Sequence, residues 1–156
     1  MMDVGILATG MYVPETFMTA QEMATLTNIK QEIIEEKLGI RQKPVPGRDD
    51  HTCYMGIQAA KKAISKAGLN PERIDVVIYI GEEYKEYPVW TAAIKLQEEI
   101  GAVNAWAFDC ALRCSTTIMG LKLAKSLMAG DPSINTICLA GGYRNGDLIS
   151  YQNPRT

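Results

Sequence analysis

The sequence lacks the long apolar run that a membrane-spanning helix requires. No segment approaches the roughly 18 consecutive apolar residues of such a span, and Asp3 stands where a secretory signal would need positive charge. The net charge is only −2, and the basic residues are interspersed with acidic ones. This pattern argues against a bulk electrostatic attraction to nucleic acid or acidic lipid. We expect a globular protein with neither a membrane nor a nucleic-acid partner.

Histidine and cysteine are also sparse. The chain has one histidine, His51, and four cysteines among 156 residues, whereas a structural zinc site needs four ligands. The cysteines are far less dense than in a disulfide-stabilised secreted scaffold, which indicates a reducing compartment. We therefore expect no metal and a cytoplasmic location.

Short apolar runs alternate with amphipathic segments along most of the chain. Continuous apolar character predicts buried strands at residues 4–9, 74–81, 104–110 and 133–142. Periodic apolar positions predict helices at residues 19–27, 28–39, 50–68, 90–101 and 115–130. Thr19 and Glu22 form a capping-box pattern at the start of the first helix, and the proline-containing residues 40–50 are predicted as a loop.

This alternation predicts an α/β fold with a mainly parallel sheet flanked by helices. The helix at 115–130 is apolar over most of its circumference, so we expect it to be buried. A polar segment without a closing helix follows the last strand. We interpret the chain as one part of a longer fold, whose isolated form exposes apolar surface and associates.

The segment "AFDCALRC" places two cysteines four residues apart at a strand–helix junction. The spacing does not match a C-x-x-C redox pair. Cys110 lies at the strand end and is predicted to pack against neighbouring side chains. Cys114 lies at the helix start, where N–H groups and the helix dipole favour a thiolate, and Arg113 adjoins it. Cys114 is therefore a candidate nucleophile, with a small packing residue as the alternative.

Two further acidic residues lie at a position typical of ligand sites. Glu82 and Glu83 follow the strand at 74–80, and open parallel sheets bind ligands at the carboxyl ends of their strands. They are candidates for acid–base chemistry, with a solvated surface loop as the alternative.

Several segments resemble, in order and spacing, the N-terminal half of β-ketoacyl-ACP synthase III, a condensing-enzyme family of the thiolase fold. They are "VGILATGMYVPE", "KLGIRQ", "MGIQAAKKAISKAGLNPERIDVVIYI" and "AFDCALRC". In the family, the nucleophile follows the aspartate of the "AFD" strand by five residues, which corresponds to Asp109 and Cys114. The resemblance implies that residues 1–156 form a single thiolase-like half-domain and that the C-terminal half is absent from this chain.

The resemblance also implies a function. Cys114 would accept an acyl group from acyl-CoA, and a decarboxylating malonyl thioester on acyl carrier protein would complete a Claisen condensation. No cofactor is implied, because CoA and acyl carrier protein thioesters are the substrates. A histidine and an asparagine would come from the absent half or a partner subunit, and a homodimer is expected, formed through the edge strand "NAWAFD".

Other substrate-binding residues follow from the same resemblance. Lys37 stands where the family has an arginine near the CoA adenine, Arg41 belongs to the "KLGIRQ" segment, and Arg113 would shape the acyl pocket. The resemblance leaves two alternatives. One is an HMG-CoA synthase-like enzyme, in which Glu82 or Glu83 would be the catalytic glutamate. The other is a non-catalytic half-fold that serves as a partner subunit.

Overall fold

The computed structural model describes residues 3–81, 86–144, 146 and 150–153. Their contacts divide the chain into two compact units, one of residues 1–12 and 51–143 and the other of residues 13–50 and 144–156. The single half-domain inferred for residues 1–156 stays a prediction. The elements are β1 Thr16–Thr19, α1 Ala20–Thr27, β2 Gln42–Val45, α2 Thr52–Ala67, β3 Val76–Tyr79, α3 Ala92–Ile100, β4 Trp106–Asp109, α4 Thr116–Gly130 and β5 Ile137–Ala140.

The larger unit contains a three-stranded parallel sheet with the strand order β4-β3-β5. Tyr79 at the end of β3 lies opposite Asp109 on one side and Ala140 on the other. The ladder continues past β4, because the Cys110 N–H donates to the Tyr79 carbonyl at 2.9 Å. All four residues of β3 are buried, as its uniformly apolar sequence predicts. The mainly parallel sheet inferred from the sequence is confirmed.

The two faces of this sheet have different coverings. On one face, Val77 and Tyr79 pack with buried residues of α2 and α3, such as Ile57 and Leu96; we call it the closed face. On the other, Val76 and Ile78 pack with Ala124 of α4 and with Ile134; we call it the open face. The period of two along β3 thus supplies both cores.

The exposure of α4 corrects the prediction that this helix is buried. Ile118 is 70% exposed and Leu121 is 41% exposed, while Thr116, Gly120 and Ala124 are buried. Only one side of α4 packs against the sheet, because the described residues supply no second layer over its outer side. The expected exposure of apolar surface is therefore found on α4.

The predicted strand at residues 4–9 is wrong. Its residues are not in a strand and pair with none of the described strands, and Ile6 and Leu7 are 68% and 72% exposed. An apolar run forms a strand only where a neighbouring strand satisfies its backbone groups. The first strand in the described part of the chain is instead β1.

The smaller unit corrects the loop predicted at residues 40–50. β2 lies within that segment and pairs antiparallel with β1, with Pro44 opposite Phe17. Proline is tolerated here because a two-stranded ribbon consists of edge strands. The capping box of α1 is confirmed by hydrogen bonds in both directions between Thr19 and Glu22. The helix expected at 28–39 is represented chiefly by a π-helical segment, Ile33–Lys37.

Candidate active site

Cys114 lies at the carboxyl edge of the parallel sheet. After β4 ends at Asp109, the chain enters a 3₁₀ turn, Arg113–Ser115, and α4 begins at Thr116. Cys114 is the middle residue of this turn and is exposed. The expected placement at the junction between strand and helix is confirmed, with the refinement that a 3₁₀ turn precedes the α-helix.

The four cysteines, all within the described residues, occupy different environments. Cys53 is buried and its thiol donates to the Ala92 carbonyl at 3.6 Å. Burial raises the pKa of Cys53 to about 12 and that of Cys138 to about 11. Cys110 is partly buried and packs against the open-face core, which confirms its predicted packing role. Cys114 is the exposed residue among these four cysteines.

The backbone immediately before Cys114 is strained. Arg113 has a φ of 51°, in the left-handed region that side chains other than glycine, asparagine and aspartate seldom adopt. Such a conformation costs on the order of 1–3 kcal/mol and persists only where the surroundings hold it. The Ser115 N–H donates to the Leu112 carbonyl at 3.1 Å, and the Thr116 hydroxyl makes two further bonds in this turn.

Asp109 fixes the strand end that carries this turn. Its Oδ1 accepts the Ala93 N–H at 2.9 Å and its Oδ2 accepts the Ala92 N–H at 3.2 Å. These are donors of the first turn of α3, whose N-cap residue Thr91 makes no side-chain cap bond. The carboxylate therefore joins β4 to the N-terminus of α3. Sequence reasoning missed this role, and the only available signal was an acidic residue at a strand end.

The structure places the other predicted residues in separate regions. Arg113 is exposed and adjoins Cys114 in the 3₁₀ turn. Lys37 and Arg41 are exposed in the smaller unit, where Lys37 ends the π-helical segment and the Arg41 carbonyl accepts the Ala20 N–H at 2.9 Å. Glu82 and Glu83 lie outside the described residues. The substrate-binding roles of all five residues stay predictions.

A cavity of about 240 Å³ lies away from Cys114, in the larger unit. It is lined by His51, Tyr54, Ile57, Gln58, Glu86, Lys95 and Glu99. His51 is the N-cap residue of α2.

In the part of the chain that the structure describes, no three histidine, cysteine or acidic side chains come together as metal ligands. None of its helices combines the length and apolar character needed to cross a bilayer.

The chain is similar to curated proteins that share one name, although no protein-family model matches it. β-Ketoacyl-[acyl-carrier-protein] synthase III of Clostridium botulinum (strain 657 / Type Ba4) is 32% identical over 156 residues, which are 100% of this chain and 47% of that protein. The Chlamydia caviae protein of the same name is 28% identical over 151 residues, or 97% of this chain and 44% of that protein.

Solved structures agree with these relatives. The 3-oxoacyl-[acyl-carrier-protein] synthase III of Aquifex aeolicus superposes with a TM-score of 0.85 at 26% identity, covering 97% of this chain and 48% of that chain. The priming β-ketosynthase of the R1128 polyketide biosynthetic pathway also gives 0.85, at 25% identity, covering 96% and 44%. The chain thus spans about half the length of the relatives it matches. The recognition from sequence is confirmed: this chain is related to the N-terminal half of β-ketoacyl-[acyl-carrier-protein] synthase III and has the thiolase-like α/β fold of that half.

Proposed function

We propose that this chain carries the nucleophile of an acyl-thioester condensing enzyme similar to β-ketoacyl-[acyl-carrier-protein] synthase III. Cys114 accepts an acyl group from acyl-CoA and passes it to a malonyl thioester on acyl carrier protein. The observation that carries this proposal is the position of Cys114, an exposed thiol in the turn that joins a parallel strand to α4. The Clostridium botulinum relative named for this activity matches the chain over its whole length.

The local geometry supports nucleophilic chemistry at Cys114. Cys114 lies in the 3₁₀ turn directly before α4 and is exposed, so a thioester substrate can reach this residue. The strained turn follows a strand whose end Asp109 holds against α3. A nucleophile that the fold holds in one direction loses little conformational entropy when it attacks the substrate.

Each step of the reaction balances without a cofactor. The Cys114 thiolate forms a bond to the acyl carbonyl carbon, the thioester bond to CoA breaks, and the departing CoA thiolate takes up a proton. The malonyl thioester then loses CO₂, and the electron pair of the broken carbon–carbon bond attacks the carbonyl of the acyl-cysteine. The bond to the Cys114 sulfur breaks, which regenerates the thiolate and releases a β-ketoacyl thioester.

The exposed apolar side of α4 supports the proposal that another part of the fold, or a partner subunit, packs against this helix. Ile118 and Leu121 lie on the helix that follows Cys114 and are exposed. A second half of the fold, within one longer chain or as a partner subunit, would cover this surface and supply the histidine and the asparagine. The outer edge of β4 pairs with no other strand among the described residues, and the half-exposed Trp106 stacks there on Phe108 with ring centroids 5.4 Å apart. This edge supports a homodimer formed by strand pairing.

A second candidate uses the same chemistry with a different acyl group. The similarity to the priming β-ketosynthase of a polyketide pathway supports, as this second candidate, an enzyme that starts a polyketide. Arg113, beside Cys114, would then help to select the acyl group. The HMG-CoA synthase-like alternative depends on Glu82 or Glu83, which lie outside the described residues, and no observation favours it.

Acylation of the protein tests the proposal. The protein, in the assembly that supplies the second half of the fold, is incubated with acetyl-CoA, with a branched short-chain acyl-CoA and with a long-chain acyl-CoA, and is then analysed by peptide mass spectrometry. We expect release of CoA and an acyl group on the peptide that contains Cys114, and no adduct in a Cys114→Ala variant. Acylation of another residue, or of none with any of the three thioesters, would contradict the proposal. The acyl-CoA that reacts fastest would distinguish the hypothesis of fatty-acid synthesis from that of polyketide synthesis.

A further inference from the structure

The side chain of Thr116 is buried beneath the turn that carries Cys114. It is the first residue of α4 and is 5% exposed. Its Oγ1 accepts the Leu112 N–H at 2.7 Å and donates to the Arg113 carbonyl at 2.7 Å. One hydroxyl therefore satisfies a backbone donor and a backbone acceptor on two consecutive residues, both of which precede the cysteine.

These two bonds act where the backbone is under strain. Among the described residues, Asn28 and Arg113 are the non-glycine residues with positive φ, and asparagine adopts this region far more readily than arginine does. A strained conformation persists where its surroundings over-determine it. The Arg113 carbonyl accepts both the N–H and the hydroxyl of Thr116, so Thr116 supplies two of the bonds that hold this conformation.

We propose that Thr116 is a positioning residue for Cys114. Its hydroxyl holds the Leu112–Arg113 backbone in the strained turn and so sets the direction in which the Cys114 side chain points. The inference rests on the proposed function, because a fixed direction matters only if Cys114 attacks a bound thioester. The hydroxyl is committed to the backbone in both of its bonds, so Thr116 acts through the turn and not on the substrate.

The geometry gives this residue a test that separates positioning from folding. Thr116→Val removes the hydroxyl with little change of shape, and Thr116→Ser retains it. Thr117→Val is the matched control, since Thr117 is the next residue of the same helix and is exposed. For each variant we measure the acylation rate of Cys114 by acetyl-CoA, its alkylation rate by iodoacetamide, and the urea midpoint of unfolding.

A misdirected nucleophile loses rate with a bound substrate more than with a small reagent. A displacement of about 1 Å costs up to about 100-fold in a positioned reaction, so we expect Thr116→Val to slow acylation by about 10- to 100-fold. Alkylation by iodoacetamide should change by less than about 3-fold, since that reagent approaches from many directions. Thr116→Ser should restore acylation to near the original rate, and Thr117→Val should leave it unchanged.

Several outcomes overturn the inference. Equal acylation rates for Thr116→Val and Thr117→Val would do so, and so would a Thr116→Ser variant as slow as Thr116→Val. If the unchanged chain is not acylated at Cys114, the proposed function fails and the inference fails with it. Should Thr116→Val not fold, the comparison is repeated in an Arg113→Gly background, where glycine removes the strain. Glycine adopts this turn without strain but does not fix it, so the loss of the hydroxyl should still slow acylation relative to Arg113→Gly alone, and an equal rate would overturn the inference.

Discussion

The closed and open faces of the three-stranded sheet share the strand β3 but differ in how completely helices cover them. On the closed face, two helices cover β3, and Ala93 and Leu96 of α3 are fully buried. On the open face, α4 supplies buried Ala124 but leaves Ile118 largely exposed. Cys114 precedes the helix of the open face, whereas Cys53 is sealed within the closed face. The difference indicates that stability comes mainly from the closed face and that the proposed chemistry belongs to the open one.

Truncating one leucine on each face tests this division most strongly. Leu96 is fully buried in α3 and Leu121 is 41% exposed on α4. A buried Leu→Ala change costs about 2–5 kcal/mol because it removes apolar contacts and leaves a cavity. We expect a loss in that range for Leu96→Ala and less than about 1 kcal/mol for Leu121→Ala, because an exposed side chain leaves no cavity. Urea unfolding of the chain measures both, and similar losses would show that the faces contribute equally.

A matched pair of helical glycines gives the next largest expected effect. A Cβ on Gly56 of α2 would lie 2.8 Å from the Gly141 Cα, which is backbone that cannot rotate away. A Cβ on Gly120 of α4 would lie 2.8 Å from Leu139 Cδ2, the end of a side chain. We expect Gly56→Ala to lose about 1–3 kcal/mol through overpacking. Gly120→Ala should stay within about 1 kcal/mol, since better helix propensity offsets the contact. The free energies of unfolding of the two variants provide the measurement, and the reverse order would contradict the division.

Alkaline pH should weaken the closed face specifically. Burial raises the pKa of Cys53 to about 12 and that of Cys138 to about 11, from an ordinary value of 9.0. Both thiols pack in the closed-face core. The folded state holds these protons more tightly than the unfolded state, so their contribution to stability is complete below pH 9 and is lost as pH rises towards the folded pKa values.

The free energy of unfolding should therefore fall between pH 9 and pH 11. Replacing both cysteines, as Cys53→Ala with Cys138→Ala, should flatten that slope even though the variant starts less stable. Urea midpoints at each pH provide the measurement. An unchanged slope in the double variant would assign the alkaline loss to other groups.

The ion pair between α2 and α3 should contribute least to the free energy of unfolding. Lys61 Nζ lies 3.3 Å from Glu99 Oε2, and both side chains are 45% exposed. Exposed pairs of this kind contribute about 0–1 kcal/mol because water screens them. Lys61→Met and Glu99→Gln should each change the urea midpoint only slightly. A loss as large as that of Leu96→Ala would mean that charge, and not apolar packing, joins α2 to α3.

Sequence reasoning predicted the elements whose signal is local. β3 consists of apolar and mostly β-branched residues, and the period of α2 is regular, so both were found. The predicted strand at 4–9 failed because strand formation depends on a neighbour that an apolar run does not specify. β2 was missed because Pro44 is typical of loops, and only its pairing with Phe17 makes it a strand.

The candidate site shows the same limit. The junction of β4 and α4 could be predicted from the change in period, and with it the position of Cys114. The cap that Asp109 places on α3 and the bonds of Thr116 across the turn could not, because they depend on backbone conformation and on contacts between elements. A threonine at a helix start carries no signal that it holds a strained arginine.

The most direct test of the account compares the reactivity of Cys114 in the folded and unfolded chain. Acetyl-CoA is added at neutral pH, with and without urea, and the acylation of each cysteine is followed by peptide mass spectrometry. Only the folded chain can hold the Cys114 thiol in position against a bound thioester. We expect Cys114 to be acylated faster in the folded chain than in urea, while the buried Cys53 and the partly buried Cys138 are protected. A folded Cys114 that is acylated no faster than in urea would contradict its role as the nucleophile.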